Sequence, residues 1–354
     1  MAYTTINNPS AHFHTQLYTG TGSLNSVTND ANAGNFKPDW LYIKNRSASW
    51  SGIVTDSTRG VNKSLFTPAT DAQVTNNARG YVSAFNTDGF TVGAGSSGSD
   101  SVNTNGNNYV GWQWKANGGT TATNNAGSIS STVQANTTAG FSIVKWTSDG
   151  NNGRTVGHGL GVKPTVIITK NLSATSDWLS FFEEAGVDKY LKLNSSSAVS
   201  TSADMFGGGA QATAVFTIGQ SAAGYSNGND IIAYVFAPIQ GYSKFGSYTG
   251  NVNTDGAFVY TGFKPAWVML KRSSGAADWN IFDNKRPGYN ETNARLRAND
   301  STAESTSDAG VDLLSNGFKC RLGSEFNANS TTNIYMAFAE SPFVSSKGAP
   351  ATAR

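Results

Sequence analysis

The chain has 354 residues, and at roughly 150 residues per domain this length predicts two or three domains. Its formal net charge is +2, only 14% of its residues are charged, and Lys and Arg are scattered, which argues against nucleic acid as a partner because phosphate binding needs a basic stripe. No segment approaches the roughly 18 apolar residues of a membrane span, and the single cysteine, Cys320, cannot form an intrachain disulfide. "MAYTTINNPSAHFH" has no basic region followed by an apolar run, so we expect no secretory signal.

The composition indicates an all-β protein. There are 39 glycines, many Asn, Ser and Thr residues, and 11% aromatic residues. Gly and Asn supply the positive φ angles of tight turns, and aromatic side chains pack well on pleated surfaces. Apolar residues with helical spacing are hard to find, whereas short or alternating apolar runs are common.

One pattern occurs three times along the chain. A Lys-Pro pair enters an apolar run, and a second lysine lies six positions after the proline (44 against 38, 170 against 164, 271 against 265). A tryptophan follows, then a phenylalanine, and each unit ends on an aromatic-rich strand. These closing strands are "YVGWQW" from Tyr109, "IIAYVF" from Ile231 and "IYMAFA" from Ile334. A repeat of about 100 residues therefore accounts for nearly the whole chain.

The repeats predict three tandem antiparallel β-sandwich modules, jelly-roll or lectin-like, with the strand topology left open. We place the modules at 1–116, 140–240 and 241–344, a Gly/Asn/Ser/Thr-rich exposed linker at 117–139, and a C-terminal tail at 345–354. Because modules two and three abut directly, we expect them to pack rigidly and module one to be placed more independently.

Two modules share an Asp-x-x-Arg element, and this pair gives the sharpest polar signal. It comprises Asp56 and Arg59 in module one, and Asp283 and Arg286 in module three. An aspartate three residues before an arginine can form an ion pair that fixes a loop, or it can belong to a ligand-binding loop. Module two has "FFEEAG" at 181–186 and lacks the arginine, as expected for a structural pair lost in a diverged copy.

Trp50, Trp178 and Trp279 are also candidates for ligand binding. An aromatic face can stack on a sugar ring, although a tryptophan at the same place in every repeat is more often part of the core. The repeated lysines Lys44, Lys170 and Lys271 are interpreted as strand-end cations that extend to water, with a shared anion site as the alternative.

Metal and catalytic sites are not indicated. His12 and His14 could face the same side of a strand, but no third ligand is evident, so we predict neither a metal nor a cofactor. No G-x-S-x-G, H-E-x-x-H or P-loop motif occurs. We therefore expect a protein that is not an enzyme.

Several phrases of the sequence resemble a repeat-containing family encoded by marine tailed bacteriophages. They are "MAYTTINNP", "YTGTGS", "GHGLGVKPTVIITKN", "IIAYVFAPIQGYSKFGSYTGN", "FDNKRPGYN", "LLSNGFKCRL", "YMAFAESPFV" and "ATAR", which span essentially the full chain. Trp112 lies in "YVGWQWKAN", where the family has "AWCWKA". Members of that family are mostly uncharacterised and assigned to virion structural or tail-associated proteins. The resemblance thus implies a phage particle and transfers no functional residue.

These observations lead to three functional hypotheses. The first is a surface-exposed structural component of a phage virion, a tail fibre or adhesin that contributes to host attachment. The second is a capsid decoration or head-fibre protein that stabilises the phage head. The third is a carbohydrate-binding module or polysaccharide depolymerase. We expect synthesis in the host cytoplasm, location on the tail or head surface, other virion proteins and a host surface glycan as partners, and a homo-oligomer such as a trimer.

Overall fold

The computed structural model describes residues 3–31, 36–206, 211–220 and 224–350 and is all-β, with antiparallel sheets. Three 3-10 helices of three residues each are present in the described part, Pro9–Ala11, Glu183–Ala185 and Glu325–Asn327. None of the described helices is long and apolar enough to cross a membrane.

The strands fall into the three sequence repeats, with repeat 1 as residues 1–116, repeat 2 as 117–240 and repeat 3 as 241–344. Repeat 1 contains β1 (Phe13–Thr19), β2 (Asn25–Val27), β3 (Trp40–Asn45), β4 (Ile53–Asp56), β5 (Lys63–Phe66), β6 (Val74–Thr75), β7 (Tyr81–Asn86), β8 (Gly89–Gly93) and β9 (Asn108–Trp114). Repeat 2 contains β10 (Ala122–Asn124), β11 (Ser131–Asn136), β12 (Phe141–Thr147), β13 (Arg154–Gly157), β14 (Val166–Asn171), β15 (Leu179–Phe182), β16 (Lys189–Lys192), β17 (Ser200–Thr201), β18 (Val215–Ile218) and β19 (Asp230–Phe236). Repeat 3 contains β20 (Ser243–Thr249), β21 (Phe258–Tyr260), β22 (Phe263–Arg272), β23 (Asn280–Asp283), β24 (Leu296–Arg297), β25 (Val311–Leu314), β26 (Gly317–Cys320) and β27 (Thr332–Pro342).

Each repeat builds a large sheet with the same strand order. The order is β1-β9-β3-β4-β5 in repeat 1, β12-β19-β14-β15-β16 in repeat 2 and β20-β27-β22-β23-β24 in repeat 3. The strand that follows the Lys-Pro pair thus lies beside the aromatic-rich closing strand in every repeat. Short strands extend two of these sheets: β6 in repeat 1, and β10, β11 and β17 in repeat 2.

A small sheet accompanies each large one. These sheets are β2-β8-β7, β13-β18 and β21-β26-β25. The turns at Asp88-Gly89 and Asn316-Gly317 form the β7–β8 and β25–β26 hairpins. Glycine is required at both, because a Cβ on Gly89 or Gly317 would lie 2.1 Å from the carbonyl oxygen of Val27 or Val259. The phenylalanine that recurs in the sequence is fully buried in each small sheet, at Phe90, Phe216 and Phe318.

The two faces of each large sheet pack into different cores, as the period of two along a strand requires. In β3, Leu41 and Ile43 pack towards the small sheet of their own repeat. Trp40 and Tyr42 face the other way, into one apolar cluster to which all three repeats contribute. Trp267 occupies the corresponding place in repeat 3.

Aromatic rings connect the repeats inside this shared core. The ring centroids of Trp40 and Tyr234 lie 4.7 Å apart, those of Trp114 and Trp267 5.7 Å, and those of Phe236 and Phe338 5.9 Å. These pairs join repeats 1 and 2, repeats 1 and 3, and repeats 2 and 3. The expectation that repeat 1 is placed more independently is therefore wrong, because its inward face is buried against both other repeats.

The predicted linker 117–139 is also corrected by the structure. β11 pairs with β12 along five residue pairs, β10 pairs with β11, and Val133 is buried. The small and β-branched residues of this segment suit strands near the edge of a sheet. Such strands are held by backbone hydrogen bonds to a neighbouring strand and do not need large apolar side chains. Of the predicted tail 345–354, residues 351–354 lie outside the described residues.

Candidate functional site

The Asp56–Arg59 pair lies buried where repeats 1 and 2 meet. Asp56 Oδ2 accepts a hydrogen bond of 2.5 Å from Arg59 Nε, and its Oδ1 accepts one of 2.8 Å from the Arg59 backbone N–H. The hydroxyl of Tyr234 in repeat 2 donates to Asp56 Oδ2 at 2.8 Å. Both charged side chains are at most 1% exposed, so the pair locks two repeats together, with the carboxylate facing away from solvent.

The Asp283–Arg286 pair repeats this arrangement where repeats 3 and 1 meet. Arg286 Nε donates to Asp283 Oδ2 at 2.6 Å, and the indole Nε1 of Trp112 in repeat 1 donates to the same oxygen at 2.9 Å. The Arg286 guanidinium also lies 5.6 Å from the Trp112 ring centroid. Trp112 of repeat 1 therefore supplies a contact to repeat 3.

Repeat 2 has apolar residues in the corresponding places. Asp56 lies opposite Trp40 and Asp283 opposite Trp267 in their strand pairs, and Phe182 has the same register opposite Val166. Three residues further on, where the other repeats carry arginine, stands Ala185. The ion pair is thus an interface element that two of the three contacts use.

Trp178 and Trp279 are also interface residues, with 0% and 1% of their surface exposed. Trp178 Nε1 donates to the carbonyl of Phe66 in repeat 1 at 2.9 Å, and Trp279 Nε1 donates to the carbonyl of Lys192 in repeat 2 at 3.0 Å. The sugar-stacking hypothesis is wrong for both, because neither ring offers a free face.

Trp50 is not their structural counterpart. Trp178 and Trp279 directly precede β15 and β23, and the residue that precedes β4 is Gly52. A Cβ on Gly52 would lie 2.6 Å from the Tyr42 ring, so this position admits no side chain. Trp50 is half-buried and lies outside the shared core, with the Arg79 guanidinium 5.5 Å from its ring centroid.

Each of the three repeated lysines contacts a neighbouring repeat, so that together they link the repeats in a ring. Lys170 Nζ donates to the Thr70 carbonyl in repeat 1 at 2.9 Å, and Lys271 Nζ donates to the Ser196 carbonyl in repeat 2 at 3.0 Å. Lys44 Nζ in repeat 1 donates to the carbonyls of Arg297 and Asp300 in repeat 3, both at 2.7 Å. All three lysines are buried, so the prediction that they extend to water is wrong.

Burial lowers the pKa of Lys44, Lys170 and Lys271 to about 8 each, because the charged form is desolvated. In the unfolded chain these groups titrate near pH 10.4, so between about pH 8 and pH 10 the unfolded state binds more protons. Stability therefore rises with pH across this window, by about 1 to 2 kcal/mol per lysine. Above pH 10 the buried tyrosines, whose pKa burial raises, reverse the trend.

We expect the free energy of unfolding, measured by urea titration, to be higher at pH 9.5 than at pH 7.5. The variant Lys170→Met should show about two thirds of that increase, since one of three similar groups is removed. Lys115→Met, on a half-buried lysine, serves as the control and should keep the full increase. An equal increase in all three proteins would contradict this assignment.

The two histidines do not form a metal site. His12 Nδ1 lies 3.2 Å from the Asn136 amide nitrogen, whereas His14 is buried with its Nε2 3.3 Å from Gln16 Oε1 and 3.7 Å from Asp30. No group of three His, Cys, Asp or Glu residues in the described ranges is arranged to hold a metal ion. His14 lines a polar cavity of about 410 Å³ between repeats 1 and 3.

Exposed aromatic residues instead line a groove of about 320 Å³ on repeat 3. Phe258 and Tyr260 lie on one face of β21, each 48% exposed, with buried Val259 between them. Lys244 Nζ lies 5.3 Å from the Tyr260 ring centroid. The alternation "FVY" is visible in the sequence, but a search for shared residues does not find it because it does not recur in the other repeats.

The floor of this groove is formed where repeat 3 meets repeat 2. A Cβ on Gly246 would lie 2.7 Å from the Tyr335 hydroxyl, so glycine there allows the Tyr335 side chain to lie against β20. Glu184 of repeat 2 borders the groove and accepts a hydrogen bond of 3.0 Å from the Ser247 hydroxyl. Aromatic faces beside a cation, a carboxylate and hydroxyls can contact both the C–H and the O–H groups of a sugar.

A second open cleft, of about 240 Å³, lies between repeats 1 and 2. Arg59 forms its inner wall, and Lys63 and Lys145 line it as well. Lys145 pairs with Asp230 at 2.7 Å, while Lys63 forms no ion pair within the described part of the chain. The cleft therefore carries more positive than negative charge.

Comparison with known proteins identifies a family. The model of a family described as "Domain of unknown function (DUF7483)" matches residues 8–342. No curated protein and no solved structure matches the chain.

Proposed function

The chain belongs to the DUF7483 family, and on that premise we propose that it is a surface-exposed structural component of a phage virion, a tail fibre or adhesin that contributes to host attachment. The phage context rests on the resemblance of the sequence phrases to a marine phage family. The structural role rests on the fold, in which the residues with the sharpest chemical signals are used to join the repeats. The protein would then act by binding and display, and not by catalysis.

The fold proposed for this role is three antiparallel β-sandwich modules arranged as a ring. In each repeat a large and a small sheet enclose a separate apolar core, and the opposite faces of the three large sheets share a fourth core. Such a body is held rigidly at its centre and leaves its loops and short edge strands free. Rigid frameworks with exposed loops are a common basis for recognition.

The observation that carries the adhesin proposal is the aromatic groove. Phe258 and Tyr260 are large, half exposed and adjacent on one face of a strand, and contiguous exposed apolar side chains mark interaction surfaces. A host surface glycan fits this chemistry, because a sugar stacks on aromatic faces and exchanges hydrogen bonds with the nearby polar groups. Weak single-site binding would be multiplied by several copies on one particle.

Gold-tagged antibody against this chain, imaged on intact particles, tests the location. Gold at the tail is the expected result. Gold spread over the head would contradict the tail assignment and indicate a capsid decoration protein that stabilises the phage head. The number of gold particles separates the two as well, since a decoration protein is present in hundreds of copies and a tail organelle in few.

The double variant Phe258→Ala and Tyr260→Ala tests the groove. We expect it to lose at least about tenfold in binding to host cells, because stacking contributes about 1 kcal/mol or more per ring. Its thermal unfolding midpoint should change little, since both side chains are half exposed. Tyr289→Ala, which removes an aromatic ring that is 74% exposed and lies outside the groove, is the control. Equal loss in both variants would exclude the groove as the contact.

A further inference from the structure

The interface between repeats 3 and 1 shows how this ring satisfies its buried arginine. Glu304 accepts a hydrogen bond of 2.9 Å from Arg286 Nη1, and it also accepts bonds of 2.8 and 2.9 Å from Arg46 of repeat 1. Burial opposes ionisation of Glu304, but the bonds from Arg46 and the charge of Arg286 outweigh burial and lower its pKa. A carboxylate thus sits between two guanidinium groups.

The interface between repeats 1 and 2 has the same backbone frame without that carboxylate. Gln73 donates its backbone N–H to the Leu172 carbonyl at 3.1 Å, just as Glu304 donates to the Arg46 carbonyl at 3.0 Å. Gln73 therefore stands in the place of Glu304, and Leu172 in the place of Arg46. Arg59 Nη1 meets only the neutral Gln73 Oε1, at 3.3 Å.

The interface between repeats 2 and 3 has neither the arginine nor a carboxylate in the place of Glu304. Val199 donates its N–H to the Ser273 carbonyl at 2.9 Å, so it occupies the same place in repeat 2 as Gln73 and Glu304 in theirs. Repeat 2 has Ala185 where the others have arginine. Repeat 3 thus has both the arginine and the carboxylate, and repeat 2 has neither. Repeat 1 is the exception, because it has Arg59 but the neutral Gln73 in place of the carboxylate.

The interface between repeats 1 and 2 is also the one that has the open, positively charged cleft. Leu172 leaves space where Arg46 fills the other interface, and Lys63 and Lys145 border this space together with Arg59. Asp230 also lines the cleft, where it pairs with Lys145 at 2.7 Å. Lys63 forms no ion pair within the described residues, and the Gln73 amide Nε2 forms no hydrogen bond to them. Arg59, Lys63 and Gln73 thus each bring a donor to the lining of a cavity that Arg46 fills in the other interface, where Glu304 neutralises the two guanidinium groups.

We propose that this cleft binds the carboxylate of an acidic sugar, such as a uronic acid of a surface polysaccharide. Arg59 Nη1 and Lys63 Nζ donate to the carboxylate, which takes the role that Glu304 has in the other interface. The hydroxyls of Thr58 and Ser173 line the cleft for the sugar hydroxyl groups, and Leu172 offers an apolar surface to the ring. The inference rests on the proposed function only for the source of the sugar, a host surface.

Purified full-length protein tests the site directly, independently of where the chain lies on a particle. Sodium glucuronate is titrated at constant ionic strength while the thermal unfolding midpoint is followed, with glucose and sodium phosphate as parallel probes. We expect a saturable rise with glucuronate and none with glucose. Lys63→Ala should need about tenfold more glucuronate, since a charged hydrogen-bond donor is lost, and Lys115→Ala, elsewhere on repeat 1, should match the unaltered protein.

Gln73→Glu is the decisive variant, because it places a side-chain carboxylate where repeat 3 has one. We expect a higher midpoint without ligand and no further rise with glucuronate. A glucuronate response that survives in this variant would overturn the assignment. Equal responses to glucose and glucuronate would show that the site does not recognise the carboxylate. Equal responses to phosphate and glucuronate would show that it recognises an anion and not a sugar. Failure of glucuronate binding with gold still at the tail would reject this site and leave the proposed function standing.

Discussion

Replacing Asp283 with alanine is expected to lower the free energy of unfolding by about 3 to 5 kcal/mol, the cost of leaving a buried charge without its partner. Arg286 would lose the carboxylate that holds its Nε, and Trp112 Nε1 would lose its acceptor. Glu304 would still contact Arg286, which places the loss towards the lower end of the range. Urea unfolding at pH 7 measures the effect.

Repeat 2 supplies the matched control for this prediction. The double variant Asp283→Phe and Arg286→Ala copies the residues Phe182 and Ala185, which repeat 2 has at these positions. It removes both charges at once, so it should be less destabilising than Asp283→Ala alone. A double variant that is clearly less stable than the single one would show that the interface depends on the charges themselves and not on their pairing.

Replacing Trp178 with alanine should also cost about 3 to 5 kcal/mol, as measured in the same way, because a fully buried ring is lost from the shared core. The carbonyl of Phe66 in repeat 1 would also lose its indole donor. Since Trp178 lies in the cluster that all three repeats build, the loss should lower the stability of the whole chain, and not only of repeat 2.

The control is Trp50→Ala, which removes the same side chain from a half-buried place outside the shared core. Its cost should be about 1 kcal/mol or less. Scanning calorimetry provides a second test, because one shared core predicts a single unfolding transition in the unaltered protein and in both variants. Separate transitions for the three repeats would contradict the shared core.

Much of the repeat architecture could be predicted from the sequence. Periodicity of two places Trp40 and Tyr42 on one face, and the recurring spacing matches the central strands of all three large sheets. The alignment of tryptophans is wrong, because Trp50 resembles Trp178 and Trp279 in sequence while their true counterpart is Gly52. Gly52 has no side chain beyond hydrogen, so a comparison of shared side chains does not identify it as the counterpart of the two tryptophans.

The interfaces could not be predicted for a different physical reason. Lys44, Lys170 and Lys271 have the spacing of strand-end cations, and only the ring arrangement brings carbonyl groups of a neighbouring repeat to their ammonium groups. The segment 117–139 has the composition of a linker because it lacks large apolar residues, although edge strands are held by backbone hydrogen bonds that composition does not show. Contacts between distant parts of a chain depend on how the sheets are placed, which local spacing does not specify.

Closure of the ring within one chain has a consequence for dilution. A trimer of separate subunits is governed by mass action, so its assembled fraction falls on dilution. In this protein peptide bonds keep the three repeats together, so the contacts among them do not depend on the concentration of the chain. Threefold geometry is thus retained even by a single copy far from any other.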